Sequence, residues 1–367
     1  MSASSAAPVP PAPLGPSPKE FLLSTPRGAY TTLCVRRCTD GSGGGGIDAT
    51  ASSSSADPLS GLELIDWRTH LERLVRSLRA MHAALDGAYA RYYGWLEASG
   101  TTQPAALQQL VAPAVKAALV AAALAEPAAQ HLMLVLVLPP APDQPCGLAV
   151  HALAVACAAP GSAPGSAVVL GGPRGVPEGK DSGWVAQRAP LELLRPPGAA
   201  EVLLCTAEGR LLEGLVTNLF VVVADEAASA SRSAEGGSEG NALTSVIVGG
   251  GAAASAAAPR LTVWMAGTHD GVVWGTARVH VLEACRRLGY DTREEAPDAA
   301  HRHSWREAFL TNSLRLVQPL HSVACGAANV WGLPPWEVRF DAAPGPVTAA
   351  LAAAVTAALP TCRATDL

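Results

Sequence analysis

With 367 residues the chain has material for two compact domains or one large one, which excludes folds that depend on disulfide or zinc staples. Charged residues make up only 16%, against about 25% in ordinary soluble chains, while 49% are apolar and 5% aromatic, so much of the apolar share is alanine. The 26 basic and 31 acidic side chains leave a formal charge of −5, which supplies no basic field for a nucleic-acid backbone or an anionic membrane surface, and neither partner is expected.

Residues 1–19 begin as a Ser/Ala/Pro tract without the basic and apolar regions of a secretory signal, and read as a disordered tail. The eight cysteines are scattered without a CxxC pair, which suits reduced thiols and a cytoplasmic location, with a plastid left open. No apolar run is read as a membrane span, since the candidates break at Glu126 and Pro139.

AYTTLCVRR at 29–37 reads as a strand, and the Gly/Ser-rich stretch at 41–58 as a flexible insertion. Asp66 is placed to cap a helix from Trp67 to about Leu85, with Leu71, Leu74, Val75, Leu78 and His82 as its inner stripe. An alanine-rich helix at 105–125 and strands at 131–138 and 147–157 follow, and 158–166 reads as a linker. These elements define an N-terminal α/β domain over 20–165.

A C-terminal domain is assigned to 166–345, interrupted by a flexible insertion at 225–259 and followed by a tail at 346–367. Within it, 200–223 reads as two strands around a turn at Glu208 and Gly209, and RLTVWMAG at 260–267 should pair with them across the insertion. A helix is expected from about Ala277 to Leu288, with Val281, Leu282, Cys285 and Leu288 inward, His280, Glu283 and Arg287 outward, and Gly289 ending it. FLTNSLRLVQPLHSV at 309–323 is strand material.

Two motif matches lack the context their chemistry needs. GSGGGG at 41–46 fits a dinucleotide fingerprint but leads into no helix, and GGSEG at 236–240 fits a nucleophile elbow but lies in the second insertion. His301 and His303 have ligand-like spacing without a third ligand, and a surface loop is the plainer reading; no metal is expected. Lysine is more informative. Only Lys19, Lys116 and Lys180 occur among the 26 basic residues, so a lysine kept here hints at chemistry that needs an amine able to lose its proton.

HLERLVRS at 70–77, Lys180, EGLVTNLF at 213–220, GTAR at 275–278 and FLTNSLRLVQP at 309–319 occur in the order seen in class IV aminotransferases, and from Gly28 to Val323 the chain resembles that family. These are fold type IV pyridoxal-phosphate enzymes, among them branched-chain and D-amino-acid aminotransferases and aminodeoxychorismate lyase. The resemblance implies a two-domain α+β fold, with a small N-terminal α/β domain and a larger barrel-like C-terminal domain. It also implies pyridoxal 5'-phosphate as cofactor, amino-acid and 2-oxo-acid substrates, and a homodimer. Amino-group transfer through a lysine aldimine is the implied activity, with an aminodeoxychorismate-type lyase or a noncatalytic binding protein as alternatives.

By the same resemblance Lys180 is the catalytic, cofactor-linking lysine, Glu213 partners the ring nitrogen, and Asn218 ties down the EGxxTN turn. Thr276 and Ala277 offer backbone amides to the cofactor phosphate at a helix start, Ser313 offers a hydroxyl, and Arg73 is the phosphate arginine. Periodicity alone puts Arg73 with Arg76 on the solvated helix face, and the resemblance reverses that reading. KDSGWV at 180–185 has no tyrosine for the cofactor's phenolic oxygen, and Cys34 stands where many relatives have an arginine, so those two partners stay unassigned. KDSGWVAQRAPLE at 180–192 resembles a plant and algal D-amino-acid-aminotransferase-like branch, whereas GAYTT at 28–32 and TNSL at 311–314 look like the lyase branch.

Overall fold

A computed structural model describes residues 15–38, 57–85, 87, 93–94, 96–140, 147–155, 163–224 and 260–367. The insertion at 225–259, nearly all of that at 41–58, most of the 158–166 linker and both discarded motifs lie outside the described residues.

The N-terminal sheet is antiparallel, in the order β14 (Thr361–Arg363), β2 (Leu62–Ile65), β1 (Ala29–Arg37), β3 (His131–Leu138) and β4 (Ala149–Ala154). Strand β3 is apolar at nearly every position because the sheet is covered on both faces. Leu132, Leu134, Leu136 and Leu138 join the core under α2 (Trp67–Ala84) and α3 (Pro104–Ala125), while Val135 and Val137 face Leu22, Tyr30 and Val185 on the other side. Helix α2 buries Leu71, Leu74, Val75 and Leu78 as expected, but Met81 completes the stripe in place of His82, which is half-buried and stacks on Tyr93 with ring centroids 4.9 Å apart. Helix α3 has the length and composition to cross a membrane, contrary to the sequence reading. Its buried face, Leu107, Val111, Val115 and Leu119, is part of the sheet's core.

The larger sheet contains a closed six-stranded barrel. β8 (Asn218–Ala224) pairs with β11 (Trp305–Asn312), which leads through β12 (Leu316–Cys325), β5 (Gly165–Gly171), β6 (Ala199–Cys205) and β7 (Leu211–Gly214) back to β8. β9 (Leu261–Met265) pairs with β8 across the insertion as expected, β10 (Asp291–Glu294) adds outside it, and β13 (Trp336–Arg339) pairs with β12. Alternation along β8 sends Leu219, Val221 and Val223 into the barrel and Phe220 and Val222 outward. There they meet Val281, Ala284 and Cys285 of α6 (Thr276–Leu288). Leu288 is exposed and the half-buried His280 faces inward, both contrary to expectation, while Gly289 ends the helix at φ 75° as expected.

The described parts of both terminal segments carry regular structure. The expected 1–19 tail ends in α1 (Pro18–Ser24), because Ser17 and Glu20 form a reciprocal capping box. The expected 346–367 tail holds α7 (Pro346–Ala358), whose Val347, Leu351 and Val355 stripe packs on the barrel, and β14, which completes the N-terminal sheet. Buried Glu307 holds the α7 start by accepting from the amides of Val347 (3.0 Å) and Thr348 (2.7 Å). Asp66 stands before α2 but does not cap it. Its backbone is left-handed and its carboxylate lies 2.8 Å from His280 Nε2, joining α2 to α6.

Candidate active site

A cavity of about 350 Å³ is lined by residues from both sheets, and all seven residues singled out from the sequence border it: Arg73, Lys180, Glu213, Asn218, Thr276, Ala277 and Ser313. Sequence order alone could not bring Arg73 on α2 and Thr276 on α6 to one cavity.

Lys180 follows a loop after β5 and is pinned through its backbone. Its N–H donates to Ser77 Oγ at 2.9 Å, its carbonyl accepts from Tyr30 N at 2.8 Å, and Ser77 Oγ in turn donates to Arg73 O at 2.8 Å. The ammonium lies 5.2 Å from the centre of the Tyr30 ring. Burial, opposed by Tyr30 and reinforced by Arg73, Arg174 and Arg188, brings the Lys180 pKa down from 10.5 to about 8. Burial alone would raise the Tyr30 phenol, but the surrounding Lys180, Arg188, Arg174 and Arg73 hold it below its usual value.

Glu213 is 3% exposed at the end of β7. Its carboxylate accepts from Arg174 Nη1 (3.3 Å), Asn218 Nδ2 (3.3 Å) and the Val273 amide (3.2 Å). Burial pushes its pKa up, and Arg174, the Val273 amide and Lys180 push back. Asn218 spans the turn through its bond to Glu213, and its Nδ2 also donates to Val273 O at 3.0 Å. Beneath the turn, buried Glu201 accepts from Thr217 Oγ1 at 3.0 Å.

Arg73 is 4% exposed, so the helical wheel misleads and the resemblance reads its burial correctly. Its Nη2 lies within hydrogen-bond reach of Thr31 Oγ1 and 3.1 Å from His70 Nδ1. Burial, with Arg73, Lys180 and His280 nearby, drives the His70 pKa well below its usual value, leaving a neutral ring whose Nδ1 accepts. Gly275 precedes α6 with no side chain to cap it, leaving the first-turn amides of Thr276 and Ala277 open toward the cavity. Ser313 lines the cavity, but its hydroxyl donates to Thr32 O at 2.8 Å. The arginine of GTAR, Arg278, points away and pairs with Glu294 at 2.6 Å.

The sequence did not single out Tyr30, Arg174, Arg188 or Thr311, which also line the cavity. No spacing could have marked Arg174 and Arg188; Tyr30 lies within a motif already quoted, GAYTT. Buried Arg73 Nε, Arg174 Nε, Arg188 Nη1 and Thr311 Oγ1 have no hydrogen-bond partner among the described residues. Six cationic side chains (Lys19, Arg73, Arg174, Lys180, Arg188 and Arg315) and orphaned donors around one carboxylate suit a ligand that brings anionic oxygens, as a phosphorylated cofactor does.

The family model described as amino-transferase class IV matches residues 184–323, a span that includes Glu213 and Asn218 and starts after Lys180. Among solved structures, a fold IV transaminase from Curtobacterium pusillum is 17% identical and superposes with a TM-score of 0.54, covering 96% of this chain and 90% of that one. A branched-chain aminotransferase from Thermoproteus uzoniensis, solved with norvaline, is 17% identical with a TM-score of 0.51, over 90% and 84% of the two chains. A hypothetical aminotransferase from Mycobacterium tuberculosis in its PLP-bound form is 15% identical with a TM-score of 0.51, over 96% and 95%. No curated protein matches the chain by sequence. The chain thus has the two-domain α+β architecture of the fold IV transaminases.

Proposed function

We propose that the chain is a pyridoxal-phosphate enzyme of the class IV aminotransferase family that moves an amino group between an amino acid and a 2-oxo acid. The observation that carries this reading is the convergence of Lys180 and Glu213 on one cavity, bordered by buried Arg73 and the open start of α6. The family match over 184–323 supports it.

Arg73 and the amides of Thr276 and Ala277 would hold the phosphate, Glu213 the ring nitrogen, and Lys180 the carbonyl carbon. When bound, the cofactor supplies an electrophilic carbon and a sink for the electron pair left when a Cα bond breaks. With a pKa of about 8, about a tenth of Lys180 is neutral amine at pH 7, against well under a thousandth for an ordinary lysine. That amine would be the nucleophile toward the cofactor and the group that carries a proton to and from the substrate Cα. Glu213, held in place by its three donors, would as a carboxylate favour a protonated ring nitrogen. Ser77 fixes the Lys180 backbone, so the amine moves only by side-chain rotation. The working unit in this reading is a homodimer.

The test is to load the purified protein with pyridoxal phosphate and add D- and L-amino acids singly. Loss of the yellow absorbance with at least one of them, and its return on adding a 2-oxo acid, is expected. Colour that persists across the panel would favour a lyase of the aminodeoxychorismate type. A protein that takes up no cofactor would refute the proposal.

A further inference from the structure

The cations of the cavity differ in what already holds them. Arg73 is engaged with Thr31 and His70 on the wall built by α2 and α6. Arg174 donates to Glu213 and to Gly179 O (3.2 Å), with its guanidinium 4.8 Å over the Trp184 ring. Arg188 belongs to a different wall, where α4 (Trp184–Gln187) meets α5 (Ala189–Leu194) beside α1. Its Nε donates to Glu192 Oε1 at 2.7 Å, and Glu192 Oε2 lies 2.5 Å from Lys19 Nζ. One edge of the guanidinium is therefore anchored away from the cavity. The side chain is about nine-tenths buried, and its Nη1 has no partner among the described residues.

We infer that Arg188 binds the carboxylate of the amino-acid and 2-oxo-acid substrates, an assignment that rests on the function proposed above. A substrate whose nitrogen meets Lys180 carries its carboxylate on the adjacent carbon, so the receiving cation must border the same space as the Lys180 amine. Arg188 does so: it lines the cavity with Lys180 and Tyr30 and acts electrostatically on both. Glu192 holds the fork in place and offsets its charge from outside, so Arg188 can stay buried when the cavity is empty of substrate. Arg73 is assigned to the phosphate, Arg174 is held by Glu213 and Gly179 O, and Arg315, the remaining cavity arginine, donates to Gln318 Oε1 at 2.8 Å, which leaves Arg188 as the arginine matched to a second anion. It also fills the role left open where Cys34 replaces the arginine of many relatives.

The test uses the full chain loaded with pyridoxal phosphate and follows its absorbance during titration with D- and L-alanine, leucine and glutamate. Ethylamine is the control, an amine that matches alanine but lacks the carboxylate. Arg188→Gln should raise the half-saturating concentration of a responding amino acid about 10- to 100-fold while leaving ethylamine unchanged, and Arg188→Lys should recover part of the loss. An unchanged amino-acid response, or an equal loss for ethylamine, would overturn the assignment and leave the parent reading intact. A wild-type protein that binds no cofactor, or responds to no amino acid, would overturn both.

Discussion

The ammonium of Lys180 shares a buried space with three guanidinium groups, and the folded protein carries that burden as lost stability. Replacing Lys180 by Met keeps the length of the side chain and removes the charge. The gap between 10.5 in the open chain and about 8 in the fold corresponds to about 3 kcal/mol, at about 1.4 kcal/mol per pH unit. Below pH 8 the lysine is protonated in both states and the whole burden falls on the folded protein. Between about 8 and 10.5 the unfolded chain binds more protons than the folded one, so wild-type stability climbs with pH. Above 10.5 the burden is gone. Cofactor-free Lys180→Met should therefore be about 3 kcal/mol more stable than wild type at pH 7, with the difference shrinking toward zero as pH approaches 10.5. Urea denaturation of both proteins at pH 7, 8, 9 and 10 reads this directly. A variant no more stable at pH 7, or a difference that does not change with pH, would refute the picture of a lysine confined among cations.

Glu213→Gln replaces one accepting oxygen by an NH2 donor facing the donors of Arg174, Asn218 and Val273, and strands the Arg174 charge. It should cost about 3 kcal/mol in stability and, in the loaded protein, about 10² to 10³ in the rate of Cα deprotonation, measured by denaturation and single-turnover absorbance on one sample. Gly275→Ala would set a Cβ 1.9 Å from Asn218 Oδ1, and should weaken cofactor affinity with a loss of about 1 to 3 kcal/mol in stability, read by equilibrium dialysis and melting. Leu351→Ala should cost about 2 to 5 kcal/mol if α7 is a core element rather than a tail, and a denaturation midpoint equal to wild type would contradict that packing.

How far the sequence reached follows from the range of the interactions. Strand β3 and helix α2 carry their patterns within a dozen or so residues, and their bounds were legible because the alternating leucines and the Leu71, Leu74, Leu78 stripe are local signals. Barrel closure was not, since the β8–β11 pairing and the parallel β5–β12 pairing depend on contacts distant in the chain. The α7 stripe of Val347, Leu351 and Val355 was legible in principle but hidden by the alanines between. In the site, Lys180 and Glu213 were marked by rarity and by motif. Arg174 and Arg188 were not, because an arginine in a loop or between short helices looks like any solvated one until the fold buries it. Arg73 shows the opposite case: its position on the wheel predicts solvent, yet the packing of α2 against α6 leaves it 4% exposed.

The central claim is that Lys180 is the residue that binds the cofactor covalently. Borohydride reduction of the protein loaded with pyridoxal phosphate, followed by digestion and mass spectrometry, tests it most directly. A phosphopyridoxyl group on the peptide containing Lys180, and none after Lys180→Met, is expected. Label on Lys19 or Lys116, or no label on a protein that has taken up the cofactor, would contradict it.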